Sequence, residues 1–352
     1  MNKMDVCVVG ASGYGGGELL RLLATHPRVS VRAAFSSTYA GKPITASFPN
    51  LAGHLPHLTF SEYGDGVEAA QCDVVFLAQE NGKAMKMAPQ LLEAGCKIVD
   101  LSADFRFRDT SLYEAWYKMP HASPAWNSQA VYGLPELFAE PIKAAPVVGN
   151  PGCYTTASIL ALAPLLKEGL IAPSSVVIDA KSGVSGAGRA KFALDYHYPE
   201  INESVSAYKV AGTHRHTPEI EATLSEFCGL SDFRVSFTPH LMPMTRGILA
   251  TCYGVLTSNT DTKSLYDLYL NFYASAPFVV ITEDPLPATK HTLGSNRCHI
   301  GLAVDKRTNR VTVLSAIDNL VKGAAGQAVQ NMNLMCGFEE TDGLLMAGGL
   351  WP

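Results

Sequence analysis

The run Val6-Cys7-Val8-Val9, then Gly10-Ala11-Ser12-Gly13-Tyr14-Gly15-Gly16-Gly17, then Glu18-Leu19-Leu20-Arg21-Leu22-Leu23 constrains the fold more than any other stretch of this chain. Four consecutive apolar residues read as a buried strand. A glycine turn follows at once, and Leu19, Leu20, Leu22 and Leu23 then fall on helical spacing. Strand, glycine turn and helix in that order form the phosphate-binding corner of a dinucleotide fold. Gly10 permits the tight turn, Gly13 lets the backbone approach a pyrophosphate, and Gly16 lets the helix pack on the strand. The spacing Gly10-x-x-Gly13-x-x-Gly16 is a variant of the commoner fingerprint, so its position and flanks carry the reading. Ser12, Tyr14 and Gly15 lie in the same turn and join Gly10 and Gly13 as expected cofactor contacts. A mere glycine turn is the structural alternative.

The chain continues as alternating strand and helix. Val29–Phe35, Asp73–Ala78 and Lys97–Leu101 read as strands, with a helical pattern over Lys83–Glu93. That alternation predicts an α/β, doubly wound parallel sheet forming a dinucleotide-binding domain over residues 1–150. Beyond Cys153 the texture changes to strands with fewer helices between them, at 176–180, 234–238, 248–255, 278–282, 298–304 and 311–317. A second, α+β domain on a mixed or antiparallel sheet is therefore expected over 151–318, for catalysis and oligomerisation. A last helical pattern runs from Asn319 through Val321, Ala324, Ala325 and Val329 to about Met332. The segment 319–352 is expected as a C-terminal helix that rejoins the first domain.

Bulk properties exclude several classes. With 352 residues the chain can bury two substantial cores, and 47% apolar against 17% charged residues marks a globular protein. A net charge of -5 without basic runs argues against nucleic acid as a partner. No apolar run is long enough to span a bilayer, and Met1-Asn2-Lys3-Met4-Asp5 leaves no room for a signal peptide ahead of the first strand. Eight cysteines without a C-x-x-C pair indicate reduced thiols, no metal site and a cytoplasmic location.

Chemistry is concentrated in Gly149-Asn150-Pro151-Gly152-Cys153-Tyr154-Thr155-Thr156. Ala145–Val148 reads as a strand before it. Ser158, Ile159, Leu160, Leu162, Leu165 and Leu166 read as a helix after it. Cys153 thus falls where a Pro-Gly turn opens a helix, and the unpaired amides and dipole there favour a thiolate. A buried packing cysteine is the alternative. Thiol-mediated hydride chemistry also needs an imidazole and a cation. His214-Arg215-His216, at the start of another helical pattern, supplies both, unless it is a solvated helix cap. His240 competes for the base role or is held by packing at a strand end. Arg106 follows the carboxyl end of a parallel strand, where ligands gather, and binds an anion or pairs with Asp104. Ala78, at the end of another such strand, is an expected cofactor contact. Ser182 and Gly183, in the glycine-rich Lys181–Arg189 loop, either line a nicotinamide pocket or form a flexible turn. No carboxylate occurs between Val29 and Lys42, where an NAD site places Asp or Glu against the ribose. Ser36 and Ser37 there suit the 2′-phosphate of NADP, or else belong to an ordinary polar loop.

Taken together, these motifs resemble the N-acetyl-gamma-glutamyl-phosphate reductase family across essentially the whole chain. The carriers are Gly10–Gly16, Asp100-Leu101-Ser102-Ala103-Asp104-Phe105-Arg106, Tyr132–Glu136, Gly149–Tyr154, His214–Ile220, His240–Gly247 and Asp318–Gln327. The resemblance implies NADPH-dependent reduction of an acyl phosphate to N-acetylglutamate semialdehyde and phosphate, in arginine biosynthesis. It also implies a cytoplasmic homo-oligomer, dimer or tetramer. It maps the nucleophile onto Cys153 and the acid/base onto the His-Arg-His motif, with His216 preferred over His214. His216 then protonates the oxygen as the thiolate is expelled. Asn319 is implied near the nicotinamide carboxamide, and Asn150, Arg106, His214, Arg215 and His240 near the substrate. The chain departs from the family after Ala78, where Gln79-Glu80-Asn81-Gly82 replaces a Leu-Pro-His-Gly-like turn. The alternatives are an aspartate-semialdehyde dehydrogenase-type reductase of another acyl phosphate and a non-catalytic NADP-binding protein.

Overall fold

The computed structural model describes residues 3–348. The chain forms two compact units, one running up to Pro151 and including Ala324–Met346, the other comprising Gly152–Gly323. The first unit contains β1 (Met4–Val9), β2 (Val29–Phe35), β3 (Phe60–Ser61), β4 (Val74–Leu77), β5 (Lys97–Asp100), β6 (Val131–Tyr132) and β7 (Val147–Gly149). The second contains β8 (Val177–Ser182), β9 (Ser206–Ala207), β10 (Ser236–Leu241), β11 (Ile248–Val255), β12 (Val279–Ile281), β13 (Cys298–Asp305) and β14 (Arg310–Ile317). The longer helices are α1 (Tyr14–Leu23), α2 (Ala84–Glu93), α3 (Thr110–Tyr117), α4 (Pro135–Ala144), α5 (Cys153–Lys167), α6 (Thr217–Cys228), α7 (Thr262–Phe272) and α8 (Gly326–Met335).

The sheet of the first unit runs in the order β3-β2-β1-β4-β5-β7-β6, and every neighbouring pair is parallel. Its central strands are buried on both faces, which explains their unbroken apolar runs. Cys7, Val9, Val75, Leu77 and Ile98 pack on one side against Ala84, Ala88 and Leu91 of α2. Strand order reverses between β1 and β4, and the Gly10 turn lies at that switch point, where such sheets bind ligands. Val9 pairs with both Phe35 and Leu77, so the carboxyl ends of β1, β2 and β4 are level.

α8 is buried along its whole length and packs on α1, α4 and β5. The terminal helix is much shorter than the expected 319–352. A π-helical turn over Val321–Ala325 leads into α8, which stops at Met335, and 349–352 lie outside the described residues. Gly337 explains the stop. It adopts φ +67, its N–H bonds to the Leu334 carbonyl at 3.2 Å, and the Phe338 N–H bonds to the Asn333 carbonyl at 2.9 Å. That is a Schellman ending, and glycine reaches the left-handed conformation at little cost.

The sheet of the second unit runs β12-β13-β14-β11-β8-β10-β9. The β8–β10 and β12–β13 pairs are parallel and the others antiparallel, so of the two arrangements expected, mixed or antiparallel, the sheet is mixed. β11 shows the layering: Ile248, Ala250 and Cys252 are buried on the face that α5 covers, whereas Leu249, Thr251, Tyr253 and Val255 are half-exposed on the other. α5 is apolar almost all round because β11, β14, α6 and α7 surround it. Each of Leu160, Leu162 and Leu165 contributes about 2 kcal/mol by burial. No helix among the described residues is long and apolar enough to cross a membrane.

Candidate active site

Two glycine-led helix starts carry the functional residues, one in each unit. In the first unit, Gly10 has φ +83, and a β-carbon there would collide with the Ala78 carbonyl oxygen. At Gly16 a β-carbon would lie 2.5 Å from the Gly10 oxygen. Only glycine lets strand, turn and helix approach this closely. Gly13 differs, because its β-carbon would meet nothing nearer than the Gly10 oxygen at 3.6 Å. The fold itself therefore tolerates a side chain at Gly13. Gly13 caps α1, whose first turn holds no acidic side chain, and Tyr14, exposed, and Gly15 begin the helix. Their amides have no acceptor within the helix, which is the arrangement that binds phosphate.

The N–H groups of Gly10 and Ala11 both bond to the Phe35 carbonyl, at 3.0 and 2.9 Å. This brings the end of β2 to the turn, and Ser12 Oγ lies 2.7 Å from Ser36 Oγ. Ser36 is buried and its hydroxyl also accepts the Tyr39 N–H at 3.2 Å, while Ser37 is exposed. Further along the same sheet edge, Arg106 donates from Nε to the Asn150 carbonyl at 2.7 Å and from Nη2 to the Leu101 carbonyl at 2.9 Å. Asp104 instead accepts from the Gly82 and Met85 amides and the Tyr113 hydroxyl. Asn150 is buried, with its amide donating to the Ala324 carbonyl and its oxygen accepting from Asn331, both at 3.0 Å. The structure thus makes Asn150 a brace of its own unit.

In the second unit, Cys153 is the first residue of α5 and is partly accessible. Three neighbours define its surroundings. The imidazole of His216 lies directly against Gly152, where a β-carbon would collide with Nε2. At Gly323 a β-carbon would lie 2.7 Å from the Cys153 Cβ, so the π-helical turn brings bare backbone against the cysteine. Thirdly, the buried Glu219 Oε1 accepts the Gly152 N–H at 2.8 Å and lies 2.8 Å from Thr155 Oγ1. The Gly152 amide is therefore engaged by a buried carboxylate.

His214 is locked differently from His216. Its Nδ1 accepts the backbone N–H of His216 at 3.0 Å, and its ring is edge-packed by Tyr154, Tyr208 and Phe237. Burial, then the nearby His216, Lys209 and Arg215, push it down to about 2. It stays neutral at any working pH. Arg215, between the two histidines, is exposed.

The remaining expected residues are arranged as follows. Phe237 faces Tyr154, with ring centroids 5.4 Å apart, so alternation along β10 turns His240 to the opposite face of the sheet. There its Nδ1 lies 3.1 Å from Asp179 Oδ1, an oxygen also paired with Lys181 at 2.8 Å. Packing, rather than a base role beside Cys153, accounts for His240. Ser182 is buried and bonds to the Gly183 carbonyl at 3.0 Å, and Gly183 packs on the backbone of Thr245 and Arg246. Asn319 spends both ends of its amide inside the unit, accepting from Gly247 at 2.7 Å and donating to Ser185 at 2.9 Å. It ties together the loops after β8 and β10.

Sequence reasoning passed over Glu219, Thr155 and Gly323, although all lie in motifs already quoted. The missed signal was spacing: His216 and Glu219 are three residues apart at a helix start, hence on one face. Arg246, 3.4 Å from the buried Asp318, was also overlooked.

A family model described as the NAD binding domain of semialdehyde dehydrogenase matches residues 5–145, and one described as the semialdehyde dehydrogenase dimerisation domain matches 153–319. Among curated proteins, the chain is 52% identical over 348 residues to an N-acetyl-gamma-glutamyl-phosphate reductase of Symbiobacterium thermophilum, covering 99% of both. It is 52% identical to the protein of that name from Geobacter metallireducens, covering 97% of this chain and 98% of that one. Among solved structures, aspartate semialdehyde dehydrogenase II from Vibrio cholerae superposes with a TM-score of 0.74 at 17% identity, over 96% of this chain and 99% of that one. The Candida albicans enzyme solved with NADP gives 0.69 at 16% identity, over 95% and 99%. At such identities these structures speak for the fold alone.

Proposed function

This chain belongs to the N-acetyl-gamma-glutamyl-phosphate reductase family of semialdehyde dehydrogenases, and we propose that it reduces N-acetyl-gamma-glutamyl phosphate with NADPH through a thioester on Cys153. It is an oxidoreductase acting at the aldehyde level, in arginine biosynthesis. The observation that carries the mechanism is Cys153 opening α5 with the His216 imidazole laid against the preceding glycine.

The first unit fits a dinucleotide. Gly10 and Gly16 admit no β-carbon, and the first turn of α1 holds no acidic side chain beside its amides. Gly10, Ser12, Gly13, Tyr14 and Gly15 would hold the pyrophosphate, with Ala78 beside them. Ser12, Ser36 and Ser37 suit a 2′-phosphate, since no carboxylate lies between Val29 and Lys42. When bound, the reduced nicotinamide supplies the hydride.

The protein's own groups carry the rest. His216 Nε2 takes the thiol proton of Cys153, and the thiolate attacks the acyl carbon. The carbon–oxygen bond to phosphate breaks, leaving a thioester and inorganic phosphate, with Arg106 and Arg215 as the cations proposed for the anionic substrate. The amides of Cys153 and Tyr154 face the developing oxyanion. After reduction the imidazolium of His216 neutralises the oxygen on the former acyl carbon. The carbon–sulfur bond then opens as His216 takes that hydroxyl proton back and returns it to the sulfur, releasing the aldehyde and restoring the thiol–imidazole pair. His214, neutral and caged, orients the backbone of His216 rather than moving a proton. The matched dimerisation domain and the half-exposed sheet face support a homo-oligomer.

The test is a coupled assay with N-acetylglutamate semialdehyde, phosphate and NADP run in reverse, beside aspartate semialdehyde and beside NAD. Turnover confined to the acetylated aldehyde with NADP is expected. Equal turnover of aspartate semialdehyde overturns the substrate, and equal use of NAD overturns the role of the serines.

A further inference from the structure

The stretch between β9 and α6 carries a cation that the chemistry above leaves unused. Tyr208, at its start, is fixed at both ends. Its N–H donates to the Pro239 carbonyl at 3.1 Å, beside the Ala207–His240 pair of β9 and β10, and its hydroxyl lies 3.1 Å from that of Tyr154. Its ring also packs edge-on against His214, with centroids 5.6 Å apart. Residues 209–213 therefore leave and return to nearly the same place. Their closure is strained. Lys209 and Ala211 sit at φ +45 and +56, in the left-handed region that residues with a β-carbon avoid, before Gly212 at φ +74. Thr213 Oγ1 donates to the Val210 carbonyl at 2.9 Å and holds the turn. Such outliers persist only where the surroundings impose them, and they point to a function for the side chain presented.

Lys209 follows Tyr208 and Arg215 follows His214, so the packing of those two rings holds two cations close together. Both side chains reach solvent. Partial burial, then Arg215 and Lys191, pull the Lys209 ammonium down, and His214 lies within the field of Lys209 and Arg215 alike. The charges acting on Lys209 are thus all positive. Glu219, the carboxylate that also acts on His214, is committed to the Gly152 amide. Like charges assembled in this way repel one another, and an incoming anion relieves that repulsion.

We propose that Lys209, with Arg215 beside it, is a specificity-determining residue that binds the α-carboxylate of the substrate. This rests on the reaction proposed above and names the group that the site reads. The substrate is anionic at both ends. Its phosphoryl group is bonded through oxygen to the carbon that Cys153 attacks, whereas the α-carboxylate lies at the far end of the carbon chain. Tyr154 follows Cys153, and its hydroxyl contact with Tyr208 spans the distance from the cysteine to Lys209. The cation is therefore set an aromatic layer away from the sulfur, where the far end belongs. A cluster of positive charge also suits an acylated, neutral nitrogen beside that carboxylate and repels a free ammonium group.

The reverse reaction separates the two anions, because the aldehyde brings the carboxylate and phosphate is added apart. Lys209→Met keeps the stem and the backbone demand while removing the charge. Its KM for N-acetylglutamate semialdehyde is expected to rise about tenfold or more, the scale of a lost charge-assisted hydrogen bond, with the KM for phosphate within about twofold of wild type. Lys209→Arg should recover most of the loss. An unchanged aldehyde KM in Lys209→Met, or a rise confined to phosphate, overturns the inference. A second readout needs no turnover: labelling of Cys153 by iodoacetamide in the full-length wild type, resolved by mass spectrometry. N-acetylnorvaline, which has the carboxylate and an inert side chain, should slow labelling, whereas its amide and free norvaline should protect at least about tenfold less. Equal protection by acid and amide, or protection by neither, overturns the inference even if Lys209→Met does not fold. Protection by N-acetylnorvaline without turnover of the acetylated aldehyde refutes the proposed reaction instead, and upholds the carboxylate site.

Discussion

The starts of α1 and α5 are built from the same parts and finished in opposite ways. Each follows a parallel strand, turns on glycine and is capped by glycine, at Gly13 and Gly152. At α1 the first turn itself holds no acidic side chain, which suits amides that bind a ligand's phosphates. At α5 the buried Glu219 occupies the amide before the helix, and an imidazole covers the glycine. One corner is left open to bind a charge brought from outside, and the other has its charge balanced from within so that a proton can move. A helix start is thus a source of positive potential whose use depends on what the rest of the fold sets against it.

Cys153→Ser separates the two corners most sharply. Steady-state turnover is expected to fall at least about 1,000-fold, because a serine at this site lacks the ionisation that makes sulfur a nucleophile. NADPH affinity, measured by nucleotide fluorescence, should stay within about twofold; near-normal turnover would remove the thioester from the mechanism. Gly152→Ala pushes the His216 ring off the helix start, and a loss of about 100-fold in kcat is expected, the scale of a displaced acid/base group. An unchanged kcat in that variant excludes His216.

Gly13→Ala probes the open corner in the same way. A β-carbon there meets only the Gly10 oxygen at 3.6 Å, so the melting temperature should move by no more than about 2 °C. NADPH affinity should drop about tenfold, with Cys153 alkylation unaffected. Full affinity in this variant would show that the backbone at Gly13 does not approach the cofactor.

The smallest effect concerns a buried carboxylate of the first unit that has no part in the chemistry. Asp100 accepts from the Ser102 amide and hydroxyl at 2.9 and 2.8 Å. Burial, and then Asp104, raise it from 3.8 to about 7. Between those values the native state binds a proton that the unfolded state releases, so stability falls as pH rises, by at most about 1.4 kcal/mol per pH unit. Asp100→Asn should remove that slope from urea midpoints measured between about pH 4 and 7, without altering turnover. A slope identical to wild type would mean that Asp100 is ionised in the fold.

Much of this organisation was legible from residues alone because the signals were local. The runs of β1, β4 and β5, the glycine turn and the helix after Cys153 all follow from period and turn chemistry. Apolar spacing placed the end of the last helix near Met332, close to the observed Met335, whereas the extension to residue 352 overlooked Gly337, which ends the helix. His240 was drawn toward the site by the company of its motif, yet strand alternation turns it to the opposite face, to Asp179. Asn150 and Asn319, expected at the substrate and near the nicotinamide carboxamide, also carry hydrogen bonds within their own units, which residue order does not show. Nothing in the spacing showed that Glu219 and the Gly152 amide, 67 residues apart, share a hydrogen bond.

Residue order alone was enough to establish two glycine corners, a run of dinucleotide-fold strands, a second strand-rich domain and a cysteine opening a helix, because each depends on neighbours within a turn or a strand. Folding distributed the charges. It caged His214 as a neutral ring, laid His216 over Gly152 and buried Glu219 against the first turn of α5. Those outcomes depend on which distant groups share a low-dielectric interior, where a few ångströms decide whether a proton stays or leaves.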